Sequence, residues 1–179
     1  MEIFLASEAP SPPPEPVTVE FFSAATDRRA AGGRRFGTLV HAILRDVSLD
    51  ANSETIRRFA ELNGRVLGAT VEEVELAQAA VEAALAHPIL ARTRGASRLH
   101  REYPLFLPLP PAIPGEHGRW LEGVIDLAFL ENGRWVVVDF KTDADSALRR
   151  AQYERQLQWY VYALAKLTGI PASAVLLEV

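Results

Sequence analysis

Asp126, Asp139 and Lys141 are the residues whose types and spacing could do chemistry together. Trp120–Leu130 and Arg134–Lys141 both read as strands, with Asn132-Gly133 between them. Asn-Gly flanked by apolar alternation is a strong hairpin signal and predicts a two-residue type I′ turn. With those two residues as the loop, Glu131 faces Arg134 and Asp126 falls opposite Asp139. Their Cβ atoms would then be roughly 4.5–5.5 Å apart on one face. The period of two puts Lys141 on that face as well. The run WVVVDF, apolar on both faces, predicts a central, covered strand. Two carboxylates opposed there repel each other unless a cation sits between them. Lys141 is one such cation. A hard divalent ion is another, because Mg²⁺ takes oxygen ligands and commonly uses one or two carboxylates with waters and substrate phosphates. The plainer alternative is a structural Asp–Lys pair, with the second aspartate solvated at a strand end.

Other elements must position this set. Phe36, Leu39, Val40, Ile43, Leu44 and Val47 recur at helical spacing after Gly32 and Gly33. His41 lies on that helix four residues after Gly37, so both share one face, and the glycine permits close approach of a backbone or ligand. A histidine there is either a metal ligand or an ordinary hydrogen-bonded side chain. A second helix is predicted over Ser53–Leu62, with Ser53 as N-cap and Asn63-Gly64 as its stop. A third runs from Thr70 to Ala86, opened by a capping box and closed by His87-Pro88. Arg98–Leu107 alternates as a strand, placed at an edge or near its end by Pro104, and Pro108–Gly118 is a proline-rich loop. Ala147–Leu167 predicts a long amphipathic helix with Leu157, Val161, Leu164 and Thr168 on one stripe, and Ala174–Val179 a last strand. Tyr153, Gln156 and Tyr160 form a second stripe on that helix, suited either to orienting a substrate or water or to half-buried packing.

Length and composition bound what this site can belong to. The chain has 179 residues, 49% hydrophobic and 23% charged, which fits one ordinary domain with a proper core. There is no cysteine, which removes disulfides, thiolate zinc sites, iron–sulfur clusters and cysteine nucleophiles together and permits a cytoplasmic location. The longest apolar run falls far short of the roughly 20 residues that span a bilayer, so no membrane role is expected. The N-terminus shows no basic stretch followed by an apolar one, so no signal peptide is expected. Five prolines lie from Pro10 to Pro16; residues 1–20 are read as a Pro-rich linker or tail, with Glu8–Pro16 extended and carrying little packed structure. The formal charge is −4, from 19 basic and 23 acidic residues, so nucleic-acid binding would rest on local patches or on a partner. Arginines cluster at Arg28, Arg29, Arg34 and Arg35, at Arg92, Arg94, Arg98 and Arg101, and at Arg149, Arg150 and Arg155.

With these residues in place the chain resembles the PD-(D/E)XK nuclease superfamily. The resemblance rests on Gly123-Val124-Ile125-Asp126, the hairpin, and Asp139-Phe140-Lys141. Gly37-Thr38-Leu39-Val40-His41 resembles the GxxxH helix of the RecB-type branch, and Gln156 to Tyr160 its QxxxY motif. Arg101-Glu102-Tyr103 resembles the upstream strand that carries a glutamate. The elements come in the family's order and span Phe36 to about Leu167; the likeness is closest to the nuclease domains of RecB and AddA helicase–nucleases. Members often continue past the point matching Val179, which implies a further C-terminal helix.

The resemblance implies a restriction-endonuclease-like α/β core, a mixed central sheet flanked by helices, with residues 21–179 as a single nuclease domain (21–97 helical, 98–179 the catalytic sheet and helix). It implies Mg²⁺ or Mn²⁺ held by Asp126, Asp139, His41 and the Phe140 carbonyl, and Lys141 acting on the attacking water and on charge at phosphorus. Glu102 would bind a second metal or neutralise Arg101, and Gln156, Tyr160 and Tyr153 would support the site and the DNA backbone. The expected activity is that of a deoxyribonuclease, an exonuclease rather than an endonuclease, in DNA end processing and recombinational repair. Its substrate would be single-stranded DNA, supplied by a helicase motor in the same chain or complex, since no Walker motif occurs here. The alternatives are a free-standing RecB-like exonuclease and a catalytically silent domain of this fold that binds DNA or docks a protein.

Overall fold

In the computed structural model, residues 2–9, 11–24, 33–110, 118–142 and 146–179 are described. The elements in chain order are β1 (Glu2–Leu5), β2 (Val19–Ser23), α1 (Arg34–Asp46), α2 (Ser53–Leu67), α3 (Val71–Ala86) and α4 (Pro88–Ala91). β3 (Arg98–Leu109), β4 (Arg119–Glu131), β5 (Arg134–Lys141), α5 (Ser146–Thr168) and β6 (Ala172–Glu178) follow. The chain divides into two compact units, one of Met1–Glu20, Ala96–Asp139 and Ala147–Leu176, the other of Phe21–Gly95, Phe140–Ser146 and Leu177–Val179.

The sheet is mixed, as expected, with strand order β1-β4-β5-β6-β2 and β3 also on β4. The turn at Asn132 and Gly133 has φ of 50° and 73°, the left-handed values a type I′ turn needs. The resulting ladder pairs Glu131 with Arg134 and runs to Leu127 opposite Val138. β3 pairs antiparallel with β4 from Arg98↔Leu130 to Leu109↔Arg119, taking one whole edge of that strand. β1 is parallel to β4 over Arg119–Glu122, so β1 and β5 share the other edge, one at each end. Gly123, Val124, Ile125 and Asp126 lie between those two described ladders. Inward residues of the sheet, Leu121, Ile125, Leu127, Phe129 and Val136–Val138, are buried, as are Leu157 and Leu164 of α5.

The N-terminal stretch differs from the expected unpacked tail. Glu2–Leu5 is a sheet strand, and polar side chains of α5 hold the segment after it. Trp159 Nε1 donates to the Ser11 carbonyl at 2.8 Å, Gln158 to Val17 at 3.0 Å and Gln152 to Ser7 at 3.0 Å. Proline cannot satisfy neighbouring carbonyls by regular pairing, and side-chain donors do so instead.

In the helical unit α1 buries Phe36, Leu39, Val40, Ile43 and Leu44. Asn52, rather than Ser53, caps α2: its side chain accepts from the Thr55 N–H at 2.9 Å. The helix also runs past the expected stop at Asn63-Gly64 and ends at Gly68, whose φ of 63° closes it. Gly64 stays helical because it is buried where α2 meets Val74 of α3, and a Cβ there would strike the valine methyl. Thr70 and Glu73 form the predicted capping box. Among the described residues no single helix is long and apolar enough to cross a membrane.

Candidate active site on the central strands

Alternation along β4 puts Asp126 on the face opposite Leu121, Ile125 and Leu127, which point into the core. The pairing of Leu127 with Val138 carries the predicted register, and Asp126 and Asp139 stand one residue beyond that last described pair. Asp139 is buried, 3% exposed, within a strand that is otherwise apolar through Phe140. Lys141 follows on the same face, half-buried at the strand's end.

Glu102 reaches this place from β3. In register it would oppose Asp126, yet the ladder steps from Arg101↔Leu127 to Tyr103↔Ile125 without it. Glu102 has φ of 46°, a left-handed conformation that a non-glycine residue adopts at a cost of about 1–3 kcal/mol. The twist aims the carboxylate so that Glu102 and Asp126 offer ligand oxygens within 4.8 Å of each other. Such strain persists only where the surrounding structure holds it in place. Periodicity carries no sign of such backbone strain, and the sequence points to Glu102 only through the family resemblance.

In the helical unit, His41 donates from Nε2 to the Phe140 carbonyl at 3.1 Å. That spacing suits a hydrogen bond. It is also about the 3 Å that separates neighbouring ligands of a small octahedral ion whose ligands lie about 2.1 Å away. The two atoms can share a proton or flank a cation. Gly37, one turn before His41, faces Thr142: a Cβ at Gly37 would come within 2.9 Å of the Thr142 hydroxyl. The glycine thus serves the close approach its spacing suggested, to the residue after Lys141.

Gln156 and Tyr160 of α5 are joined, the Gln156 amide donating to the Tyr160 hydroxyl at 2.9 Å. The Tyr160 ring packs on Gly123, where a Cβ would lie 2.5 Å from the ring. Tyr160 and Tyr153 are both buried, so their rings support the strand from within the core. Gly123 and Asp126 face opposite sides of β4, and the ring braces the strand behind the carboxylate. Of the arginine clusters, Arg28 and Arg29 lie outside the described residues. Arg35 is ion-paired with Glu73 at 2.9 Å, and Arg155 donates to the Ala9 carbonyl.

Glu102 on β3 and Asp126 on β4 offer carboxylate oxygens near each other, the kind of ligand a hard cation takes. The sequence of residues 19–179 matches the family model of the PD-(D/E)XK nuclease superfamily. The chain belongs to that superfamily. The mixed sheet flanked by helices agrees with the restriction-endonuclease-like fold of that superfamily. It is also similar to one ATP-dependent helicase/nuclease subunit from each of two strains of Clostridium kluyveri. Each is 32% identical over 89 residues, covering 44% of this chain. The match spans only 7% of the length of those relatives.

Proposed function

We propose that the chain is a metal-dependent deoxyribonuclease domain that hydrolyses phosphodiester bonds in single-stranded DNA. In this reading it acts as an exonuclease beside a helicase motor of the AddA kind, in DNA end processing and repair. Family membership supports the reaction class, and the similarity to a helicase/nuclease supports the motor. The observation that carries the reading is the pairing of Glu102 and Asp126 within 4.8 Å, held by a backbone strain that stability alone does not reward.

The donors are oxygens and one imidazole, which suits Mg²⁺ or Mn²⁺. Asp126, Asp139, His41 and the Phe140 carbonyl are the proposed ligands, with Glu102 beside Asp126. Such an ion, when bound, supplies Lewis-acid charge at a phosphoryl oxygen. The chain's own residues do the rest. Lys141, cationic beside carboxylates, holds the attacking water in line and offsets negative charge that grows on the phosphate. Water adds to phosphorus, the bond to the leaving sugar oxygen breaks, and that oxygen takes a proton as it departs. The Gln156–Tyr160 brace fixes β4 so that Asp126 keeps its place. The test is cleavage of end-labelled single-stranded and duplex DNA in Mg²⁺ or Mn²⁺ against EDTA. Metal-dependent loss of the single strand, abolished by Asp126→Asn, is expected. No cleavage of either substrate in either metal would overturn the reading and favour a silent DNA-binding module of this fold.

A further inference from the structure

Among the described residues, the sheet face that bears Glu102 and Asp126 continues with exposed side chains toward the other end of β4. Its register rows place Phe106 beside Glu122, Pro108 beside Trp120, Ile3 beside Trp120 and Leu5 beside Glu122. On the opposite face Leu105, Leu107, Leu121 and Ile125 are buried. On this one Phe106 is 48% exposed, Ile3 47%, Val124 43% and Leu5 41%. Phe106 and Trp120 are stacked, ring centroids 4.6 Å apart and planes 13° from parallel. An exposed ring already backed by a parallel neighbour is a ready surface for a third flat ring.

We infer that the Phe106–Trp120 stack is a base-stacking subsite, holding an unpaired nucleobase of the strand whose phosphate reaches Glu102 and Asp126. The inference rests on the nuclease reading above and adds where the strand lies. Charge decides which side of the strand faces the shelf. Glu122 is exposed in its middle, so a phosphate laid there would meet a carboxylate. Bases meet aromatic rings instead, and Glu122 offers an acceptor to the amino group of cytosine or adenine. Stacking on aromatic side chains accepts every base and needs no net positive field, which suits a chain of charge −4. Phe106 is four residues from Glu102 along β3, about 13 Å at the rise of a strand. That distance corresponds to roughly two to four nucleotides, at about 3.4 Å each when stacked and more when extended. The stacked base is therefore two to four nucleotides from the bond that is cut.

The experiment uses the 179-residue chain with fluorescein-labelled oligothymidylate, bound in EDTA and cleaved in Mn²⁺. Phe106→Ala should weaken binding about tenfold or more, the worth of one stacked base. Phe106→Trp should bind as wild type, whereas Phe106→Leu should resemble the alanine variant. A single abasic nucleotide moved along the oligonucleotide should slow wild-type cleavage when two to four positions from the cut, and should add nothing in Phe106→Ala. The abasic scan of wild type decides the matter even where a variant melts early. Cleavage by wild type with no sensitive abasic position overturns the subsite and leaves the nuclease reading standing. Full binding by Phe106→Leu also overturns it, since an apolar contact without a ring is what a docked protein would use. Failure of wild type to bind or cleave any strand brings down the nuclease reading itself.

Discussion

Charge is handled in opposite ways on the α2–α3 pair and on the β3–β4–β5 strands. On α2, Glu54 pairs with Arg57 and Arg58, and Arg57 with Glu61, each one turn away and each exposed. The hydrogen bond from Arg57, and then that from Arg58, holds the Glu54 carboxyl below its usual range. On α2 these charges have their opposites at hand in water, the arrangement that a marginally useful surface pair takes. On the strands, like charges are brought together: Glu102 lies near Asp126, and Asp139 is buried among valines. Removing a partner from the first arrangement changes little. The second places like charges close together, which a fold alone gains nothing from. On the proposed reading, the difference separates charge that solvates a fold from charge that holds a metal and a phosphate.

The sharpest way to break this contrast is Asp139→Ala. Loss of a ligand carboxylate removes several kcal/mol of transition-state stabilisation, so cleavage should fall on the order of a thousandfold or more. The same variant, melted in EDTA, should be as stable as wild type or slightly more so, because it relieves carboxylate repulsion. Arg57→Ala should do neither: cleavage unchanged, and at most a small fall in melting temperature that vanishes in high salt. Retained cleavage by Asp139→Ala would erase the distinction between the two regions.

Next in size come the two glycines where elements touch. Gly123→Ala pushes a methyl onto the Tyr160 ring, and Gly64→Ala pushes one onto a Val74 methyl. Each should destabilise by about 1–3 kcal/mol as overpacking does, with Gly64→Ala partly offset by up to about 1 kcal/mol of helix propensity. Val74→Ala should rescue Gly64→Ala without touching cleavage. Gly123→Ala should lower cleavage as well as melting temperature, since the ring it displaces braces the strand of Asp126. Equal activity in the two glycine variants after correction for unfolding would show that the brace is structural only.

Much of this was legible because hairpin chemistry and alternation act locally. Asn132-Gly133 sets the turn, the turn sets the register, and the register brings Asp126 and Asp139 one row past the pair Leu127↔Val138. What escaped depends on partners far along the chain. Gly64 reads as a helix stop until Val74 is seen against it. Residues 11–17 read as part of a tail until Trp159 bonds the Ser11 carbonyl and Gln158 that of Val17. Glu102 shows its strain only in its φ, and β1 is too short for alternation to mark it.

A smaller effect tests capping in the helical unit. Thr70 accepts from the Glu73 N–H at 3.2 Å while the Glu73 side chain accepts from the Thr70 N–H at 2.8 Å. That backbone bond, with Arg35 next, holds the Glu73 carboxyl below its usual range. Thr70→Ala should cost about 1 kcal/mol in chemical denaturation and leave cleavage alone. Any loss of cleavage beyond the unfolded fraction would show that the helical pair is tied to the chemistry.

The smallest expected effect is a pH dependence at His87, which joins α3 to α4. Its Nδ1 accepts from the Ile89 N–H at 3.2 Å, so the imidazole caps α4 in its neutral form. Burial lowers its pKa below the ordinary 6.5, because desolvation penalises the charged ring. The unfolded chain therefore takes up the proton first as pH falls. The stability this residue contributes is fully present above pH 6.5 and is lost as pH drops from there through the lower folded value. Protonation would also place a hydrogen on Nδ1 and turn the cap's acceptor into a donor. His87→Asn keeps a side-chain acceptor but cannot titrate. Denaturation midpoints of the two proteins should run parallel above about pH 7 and separate below about 6.5, the asparagine variant losing less. Because the two proteins differ only at residue 87, the difference between the curves belongs to His87 alone. Curves that stay parallel down to about pH 5 would show that this cap does not depend on the ring's charge.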